Sequence, residues 1–423
     1  MSQPENEKNP VFGWFGPAAG AAIFRIIKDF GPLSRAEIVR RTGLSKSTVS
    51  LHAEKLLKMG LVAEDQSQRN GLGRKGLALR FAAEAGLIIA VDLGATGVEV
   101  GLCDLEARII ACRSESLSVL AGPQPVMERI FALIDGLLAS YRDGPRKLFG
   151  IGMGLPGPVE FGSGLPVSPP IMPGWHRYPV RQALESRYGC PAYIDNDVNV
   201  MACGERHSGL GREAENFIFV KIGTGIGAGI FCDGKLYRGT QGCAGDIGHV
   251  GVDTLDTPCP CGNKGCLESV AAGPAIARMA REAAANGASE LLSQRLREAG
   301  ALTAADVGDL ADHGDLACVE MIQQSGRLIG QVLAKLVNFF NPSLIIIGGG
   351  VANLGGRFLA AIREQIYQRS LPLATRDLAI KRSRLRERAG MIGAAAMALE
   401  EIFSHGKVMA MVVQEGKKGP ASD

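Results

Sequence analysis

The apolar positions near the start of the chain recur with the spacing of an α-helix. Residues 17–30 carry one apolar stripe, and a Gly-Pro pair ends it; the stripe consists of Ala21, Ile23, Phe24 and Ile27. Ser34 starts a second helix, with Glu37 three residues later in a capping-box pattern. The Ser45 hydroxyl caps a third helix that extends to about Met59. The pattern therefore predicts three short helices, the last two joined by a tight turn.

The outward side chains of the third predicted helix suit contact with DNA. Such groups bond base edges and phosphates in the major groove, and here they are Lys46, Ser47, Thr48 and Ser50. A polar, Gly-rich hairpin follows, and its Arg74 and Lys75 suit a wing that reaches a narrow minor groove. Residues 1–85 are therefore predicted to form a winged helix-turn-helix that binds double-stranded DNA. The alternative is a three-helix protein-interaction module with a charged surface loop.

Beyond Gly86 the apolar pattern changes from helical stripes to strands. Apolar runs cover 87–91, 98–102 and 109–112, separated by short turns that contain Gly or Asp. Another run at 344–347 ends in three glycines, after which a helix is expected from Asn353. The mixture predicts an α/β body that begins at a boundary within residues 81–86.

Composition and charge place the chain among soluble proteins with two or three domains. It has 423 residues, 46% of them hydrophobic and 21% charged, and no apolar run approaches the roughly 20 residues that span a bilayer. The polar first ten residues do not resemble a secretion signal, so a cytoplasmic protein with no membrane partner is expected. The net charge is only +3, but residues 1–85 hold 13 Lys+Arg against 8 Asp+Glu. This local excess favours a polyanionic partner for the N-terminus.

Three Gly-containing turns follow predicted strands and leave backbone open to a ligand. The candidate nucleotide-binding residues in them are Asp92, Gly94, Thr96, Gly223, Thr224, Gly225 and Gly349. Asp and Thr in the first turn suit a metal-bound phosphate, and the second turn joins strand to strand, so it is no dinucleotide fingerprint. Taken alone, the first turn is better explained as a simple hairpin, and three Gly turns at strand ends are more persuasive than any one. Together they predict a phosphate and nucleotide site.

Polar side chains crowd the end of a short predicted strand within residues 193–199. Asp197 is a candidate general base that takes a proton from a sugar hydroxyl, and Asn196 is a candidate ligand for a neighbouring hydroxyl. The competing interpretation is helix capping, which Asp and Asn commonly perform at such positions. Both interpretations place the two residues at the start of a helix.

The densest group of metal-binding side chains lies between residues 249 and 266. Ten cysteines are scattered along the chain, but three follow one histidine closely, and the set is His249, Cys259, Cys261 and Cys266. One imidazole and three thiolates complete a tetrahedral zinc site with no open position, so a structural zinc is expected. The alternative is a group of free buried thiols. Glu268, just beyond the last cysteine, is expected to be positioned by the same loop.

These residues, in this order, resemble the ROK family of repressors and sugar kinases, and the resemblance covers residues 86 to about 403. Its most specific part runs from Val220 through the alternating glycines to His249 and the cysteine run. The resemblance implies an actin-like, ribonuclease H-like fold with two α/β lobes and a sugar in the cleft between them. It implies a first lobe at 86–200, joined by a C-terminal helix at 385–404, and a second lobe at 201–384 that holds the zinc.

The resemblance also implies ligands for the sugar, namely Asn196, Asp197, Asp246, His249 and Glu268. Asp246 stands where the kinases have Glu, and Ile171 stands where they often have Asn, which indicates a changed hydroxyl specificity. In the first Gly turn, Ala95 and Gly97 replace a Gly and a Lys. Losing a cation beside phosphate weakens ATP binding, so ATP and Mg²⁺ are expected only if kinase activity is retained.

Three functional hypotheses remain at this point. The first is a repressor of carbohydrate uptake or catabolism genes, controlled by a small sugar that alters the spacing of paired DNA-reading heads. The second is an ATP-dependent sugar kinase that carries a DNA-binding domain, with Asp197 as its catalytic base. The third is a DNA-binding scaffold controlled by a protein partner.

The repressor hypothesis carries an expectation about assembly. One recognition helix reads only a few base pairs, so a homodimer or tetramer on an inverted-repeat operator is expected. The body, with long helices such as 316–340, is expected to supply the symmetry because residues 1–85 have little apolar surface to spare.

Overall fold

The protein consists of a small helical head and two α/β lobes. The computed structural model describes residues 17–65, 77–141, 147–252, 255–404 and 408. Each lobe is built around a five-stranded sheet, and the head packs on the first lobe. The predicted class, an actin-like body preceded by a winged helix-turn-helix, is confirmed by this architecture.

The head contains the three predicted helices and two short paired strands. Its elements are α1 (Pro17–Phe30), α2 (Arg35–Thr42), α3 (Lys46–Lys58), β1 (Val62–Asp65) and β2 (Ala78–Phe81). The Ser34 hydroxyl accepts from the Glu37 N–H at 3.2 Å, and the Ser45 hydroxyl accepts from the Thr48 N–H at 3.1 Å, so both predicted N-caps are confirmed. β1 and β2 pair antiparallel. The segment between them, with Arg74 and Lys75, lies outside the described residues.

The first lobe alternates strands and helices around a mixed sheet. Its elements are β3 (Gly86–Leu93), β4 (Gly97–Cys103), β5 (Ile109–Ser116), α4 (Pro123–Ser140), β6 (Lys147–Leu155), β7 (Val159–Glu160), β8 (Leu165–Pro166), α5 (Val180–Tyr188), β9 (Ala192–Asn196) and α6 (Asp197–Ser208). The sheet order is β5-β4-β3-β6-β9. Strands β3, β6 and β9 are parallel, so their carboxyl ends meet at one edge, where the two lobes face each other.

The second lobe repeats this plan with more helices. Its elements are β10 (Phe217–Ile222), β11 (Ile226–Cys232), β12 (Lys235–Tyr237), α7 (Leu267–Ala271), α8 (Gly273–Ala285), α9 (Glu290–Ala299), α10 (Ala304–Asp312), α11 (Leu316–Phe340), β13 (Leu344–Gly348), α12 (Gly356–Arg369), α13 (Pro372–Thr375), β14 (Ala379–Arg382) and α14 (Arg388–Ile402). The sheet order is β12-β11-β10-β13-β14. The helix expected from Asn353 was placed too early. A 3₁₀ turn ends there, and α12 starts only after Gly355, whose φ of +98° a helix does not allow.

Helix α14 leaves the second lobe and packs against the first sheet and α6. The two helices approach closely because glycines stand at the crossing. A side chain at Gly393 would come within 1.7 Å of the Val200 carbonyl oxygen, and one at Gly204 within 2.2 Å of the Ala389 carbonyl oxygen. Helix α6 also contacts β10 and β11 of the second lobe. The lobe boundary expected at residue 200 therefore falls inside a helix that both sheets contact.

The head is attached to the first lobe through a cluster of four phenylalanines. Phe403, directly after α14, lies with its ring centroid 5.1 Å from that of Phe24 and 5.9 Å from that of Phe81, both in the head. On its other side it lies 6.2 Å from Phe149 in β6. The end of α14 thus covers the part of the head's apolar surface formed by Phe24 and Phe81. We refer to these residues as the aromatic cluster.

Among the described residues, we find no helix with the length and apolar character needed to cross a membrane.

Candidate functional site

A cavity of about 750 Å³ lies between the two lobes, within the size range of small-ligand sites. The carboxyl end of β9 and the start of α6 form one wall, and the turn between β10 and β11 forms the other. All five predicted sugar ligands line it, namely Asn196, Asp197, Asp246, His249 and Glu268. Ile171, which stands where the resemblance leads us to expect a hydrogen-bonding Asn, lines the cavity too. The fold therefore assembles the residues that the sequence nominated from distant positions.

Asn196 performs the capping role that was the competing interpretation of its position. Its side-chain oxygen accepts from the backbone N–H of Val198 at 2.9 Å and of Asn199 at 3.4 Å, and its amide donates to the Gly157 carbonyl oxygen at 2.9 Å. The second N–H of the amide has no partner among the described residues. Capping and cavity lining therefore coexist, since one donor remains for a ligand.

Asp197 is paired with a cation that the sequence analysis missed. The Lys221 ammonium, on β10, donates to the Asp197 carboxylate. Burial lowers the pKa of Lys221, but attraction to Asp197 and Asp92 outweighs it and the net effect raises that pKa. Burial raises the pKa of Asp92 to about 7, with Lys221 opposing the rise and Asp197 adding to it. A signal was visible in the sequence, because Lys221 is the one charge in a strand of otherwise apolar residues.

A second buried ion pair also joins the lobes. Arg238, after β12, donates to Asp195 of β9 at 2.7 Å, and its guanidinium lies 3.7 Å from the ring centroid of Phe161. Asp195 is only 1% exposed and accepts from the Asn199 amide at 2.9 Å as well. A carboxylate so buried requires such partners. These residues fix the relative position of the lobes behind Asp197.

The predicted nucleotide residues border two adjoining cavities. Gly94, Thr96, Gly223, Thr224 and Gly225 line the large cavity, and Asp92, Gly94 and Gly349 line a second cavity of about 250 Å³. The backbone of this region is thus open to a ligand, as a phosphate cradle requires.

Glu268 is bonded to the second Gly turn. Its Oε2 atom accepts from the Ile226 N–H at 3.0 Å, and a side chain at Gly225 would come within 2.5 Å of the same oxygen. Burial raises the pKa of Glu268, while the Ile226 N–H and His249 oppose the rise. One oxygen of Glu268 therefore holds the turn and leaves Oε1 for a ligand.

The four predicted metal ligands come together beside the cavity. The ligand atoms of His249, Cys259, Cys261 and Cys266 all lie within 4.8 Å of one another. The Cys259 Sγ to His249 Nδ1 distance is 3.6 Å, and the Cys261 Sγ to Cys266 Sγ distance is 3.7 Å. A zinc tetrahedron with ordinary Zn–S and Zn–N bonds has edges of about 3.8 Å and 3.6 Å. The donor set therefore fits zinc, and these two distances match the edges of such a tetrahedron.

His249 is predicted both as a metal ligand and as a sugar ligand, and its orientation is compatible with both roles. Its Nδ1 faces the thiols, while its Nε2 lies 4.0 Å from the Asp246 carboxylate, on the cavity side. A histidine that binds metal through one nitrogen commonly donates from the other. The imidazole therefore links the metal cluster to the cavity wall.

The predicted DNA contacts lie at the start of α3. Lys46 and Ser47 are exposed, and Thr48 and Ser50 are partly exposed, while Val49 between them is buried. The Ser47 and Thr48 hydroxyls each lie 2.8 Å from the Ser45 hydroxyl. Leu51, which the sequence analysis passed over, is 54% exposed on the same helix and suits a thymine methyl group.

Comparison with known proteins accounts for both parts of the chain. The ROK family profile matches residues 88–401, and the MarR family profile matches residues 19–71. The xylose repressor of Caldicellulosiruptor bescii is 31% identical over 384 residues, which cover 90% of this chain and 95% of the repressor. The glucokinase of Halalkalibacterium halodurans is 32% identical over 306 residues, which cover 72% of this chain and 92% of the kinase.

A solved structure extends the similarity to the whole architecture. The ROK family transcriptional regulator described as a homolog of the E. coli MLC protein has a TM-score of 0.81 and 25% sequence identity. The superposition covers 94% of this chain and 99% of that chain. The two regulators thus match this chain over nine-tenths of its length, and the kinase over less.

Proposed function

This chain belongs to the ROK family, and on that premise we propose that it is a DNA-binding transcriptional regulator, a repressor of carbohydrate genes controlled by a sugar in the interlobe cavity. The xylose repressor and the MLC homolog share the combination of a reading head and a kinase-like body. The MarR profile match supports DNA binding by the head.

One observation carries the proposal: a single helix connects the cavity region to the head. Near its start, α14 contacts Asp92, since a side chain at Gly390 would come within 1.7 Å of the Asp92 Oδ2 atom. At its end, Phe403 lies in the aromatic cluster with Phe24 and Phe81 of the head. A movement of the lobes that shifts α14 must therefore shift the recognition helix.

The cavity wall suits the hydroxyls of a sugar. Carboxylate oxygens of Asp197, Asp246 and Glu268 accept from hydroxyl groups, and His249 Nε2 and the free N–H of Asn196 donate to them. Closing the lobes on the sugar brings both sets of groups into contact with it. Because the sugar binds the closed state more tightly than the open state, it shifts the population to the closed state and thereby moves α14 and the head.

We propose that zinc occupies the His249, Cys259, Cys261 and Cys266 cluster as a structural ion. All four positions of a tetrahedron are taken by protein, so the ion offers none to a reacting group. It orders the loop that presents His249 and Glu268 to the cavity. Binding requires thiolates, so zinc affinity falls as pH falls.

We propose a symmetric dimer as the DNA-binding form. Three large apolar side chains lie exposed near the end of α11 and beyond α12, namely Phe339, Leu371 and Leu373. Phe339 is 88% exposed, and the Leu371 N–H donates to the side chain of Asn338, its neighbour in α11, at 3.0 Å. Exposed apolar side chains on adjacent segments support an association site. Light scattering should give a dimer or tetramer, and Phe339→Asp should lower the molar mass. A wild-type monomer that binds one inverted repeat tightly would contradict this.

The central experiment selects bound fragments from genomic DNA and then measures operator affinity by fluorescence anisotropy across a panel of neutral sugars. One sugar should change the Kd at least about tenfold, the scale of ordinary allosteric coupling. Asp197→Asn should abolish the response and keep DNA binding, while Asp377→Asn, on the exposed loop before β14, serves as the matched control. Unselective DNA binding, unchanged by every sugar, would refute the proposal.

An ATP-dependent sugar kinase is the alternative, favoured by the glucokinase match. In that reaction Asp197 takes the proton of the attacking hydroxyl while the γ-phosphoryl group passes to its oxygen and ADP leaves. The Lys221 partner opposes this role, because an ammonium on the carboxylate weakens the base. A coupled ADP-release assay with the same sugar panel separates the two functions.

A further inference from the structure

Lys221 stands where the two lobes and the two cavities meet. It is on β10, two residues before the Gly223 turn, and its ammonium contacts Asp197 at the start of α6 in the opposite lobe. Its side chain is 24% exposed and that of Asp197 is 5% exposed. Both cavities count Lys221 in their walls. The ammonium is therefore a charge held inside the cleft, not a solvated surface cation.

Burying a lysine at this position carries a large desolvation penalty. The other residues of β10 are apolar and buried, with the pattern Phe-Ile-Phe-Val-Lys-Ile. Removing an ammonium from water is costly unless carboxylates compensate for the lost hydration. Asp197 does so by direct contact, and Asp92, which lines the small cavity together with Lys221, adds to the attraction when it is ionised. The ammonium thus contacts the Asp197 carboxylate directly and shares a cavity wall with Asp92.

If the chain acted as a sugar kinase, Asp92 would face a metal-bound phosphate and Asp197 the attacking hydroxyl, as the sequence predicts. We propose that the Lys221 ammonium is a fixed internal cation that takes the place of a divalent metal between Asp92 and Asp197, so that the cleft holds a neutral sugar without a magnesium nucleotide. The sugar part rests on the proposed function, whereas the cation part does not depend on it.

The charge of the large cavity supports a neutral ligand. Three carboxylates line it, those of Asp197, Asp246 and Glu268, and Lys221 is the one Lys or Arg among its described lining residues. The ammonium is already committed to Asp197. A phosphorylated sugar would therefore meet uncompensated carboxylates and be repelled. An uncharged polyol finds hydroxyl acceptors there.

The test measures the binding of Mn²⁺ to the zinc-loaded full chain, with electron paramagnetic resonance as the readout. Wild-type protein should bind Mn²⁺ in the cleft only weakly. Lys221→Met removes the charge at similar volume and should gain Mn²⁺ affinity by about ten- to a hundredfold, because a close like charge no longer repels the ion. Lys221→Arg keeps a cation and is the matched control, with no gain expected. Adding Asp197→Asn to Lys221→Met should abolish the gain.

The outcomes are separable. Tight wild-type binding of Mn²⁺ that Asp197→Asn removes would overturn the proposal, and so would a folded Lys221→Met variant with no gain. Lys221→Gln repeats the test if the Met variant does not fold. For the ligand class, thermal shifts of wild-type protein with neutral sugars and with their 6-phosphates are compared. Stabilisation by a phosphate ester alone would overturn that part, whereas failure of DNA binding would bear only on the proposed function.

Discussion

Phe403→Ala should uncouple the head from the cleft without disturbing sugar binding. The ring contacts Phe24 and Phe81 in the head and Phe149 in the first lobe, at centroid distances of 5.1, 5.9 and 6.2 Å. Removing it takes away the side chain that all three share. Sugar affinity should persist, because none of the four phenylalanines lines the large cavity.

The expected magnitude follows from these contacts. Truncating a buried Phe to Ala costs about 3–5 kcal/mol, and aromatic pairs contribute about 0.5–1.5 kcal/mol each beyond burial. Phe403 is only partly buried, so we expect the docking of the head to weaken by about 2–3 kcal/mol. Allosteric couplings typically amount to about 1–3 kcal/mol. The loss is therefore large enough to remove the sugar response.

The assay measures operator Kd by anisotropy with and without the inducing sugar, and sugar affinity by calorimetry. For Phe403→Ala the ratio of the two Kd values should approach one, and hydrogen exchange in α1 should accelerate. Phe131→Ala is the matched control, because Phe131 pairs with Tyr188 elsewhere in the first lobe. A Phe403→Ala variant with the wild-type Kd ratio would refute the coupling route.

Four further predictions concern the metal, the Arg238–Asp195 ion pair, the buried Asp92 carboxyl group and the wing. Elemental analysis should find one zinc per chain. The Cys261→Ala variant should lose both the zinc and the sugar response, because the same loop positions His249 and Glu268. A retained sugar response would show that zinc binding and sugar sensing are independent. In urea titrations Arg238→Ala should lower the free energy of unfolding by about 3–5 kcal/mol, because Asp195 is left buried without its cation, and a loss below about 1 kcal/mol would contradict this. Burial raises the pKa of Asp92 to about 7. Between about pH 4 and pH 7 the folded chain therefore keeps a proton on Asp92 that the unfolded chain has lost. The stability that this proton contributes is fully present below about pH 4 and declines as pH rises to about 7. Comparing unfolding of wild type and Asp92→Asn across this range checks the sign. Arg74→Ala should weaken binding to every DNA sequence and flatten its salt dependence, and unchanged affinity would rule out its assignment to the wing.

The sequence alone determined the features whose causes are local. Helix caps at Ser34 and Ser45 depend on side chains within three residues of the backbone that they cap. The metal cluster spans residues 249 to 266, so its spacing in sequence nearly dictates its spacing in space. Gly turns after apolar runs belong to the same class. Local periodicity and motif order were therefore enough for the fold class, the family resemblance and the nominated ligands.

Tertiary structure alone decided which distant groups meet. Lys221 and Asp197 are 24 residues apart, and Arg238 and Asp195 are 43 apart, so no local pattern pairs them. The contact of Phe403 with Phe24 joins opposite ends of the chain, and it exists because α14 returns to the first sheet. Ion pairs and ring contacts act over only a few ångströms. Their partners are therefore chosen by how the sheets and helices pack, which the linear order of residues does not specify.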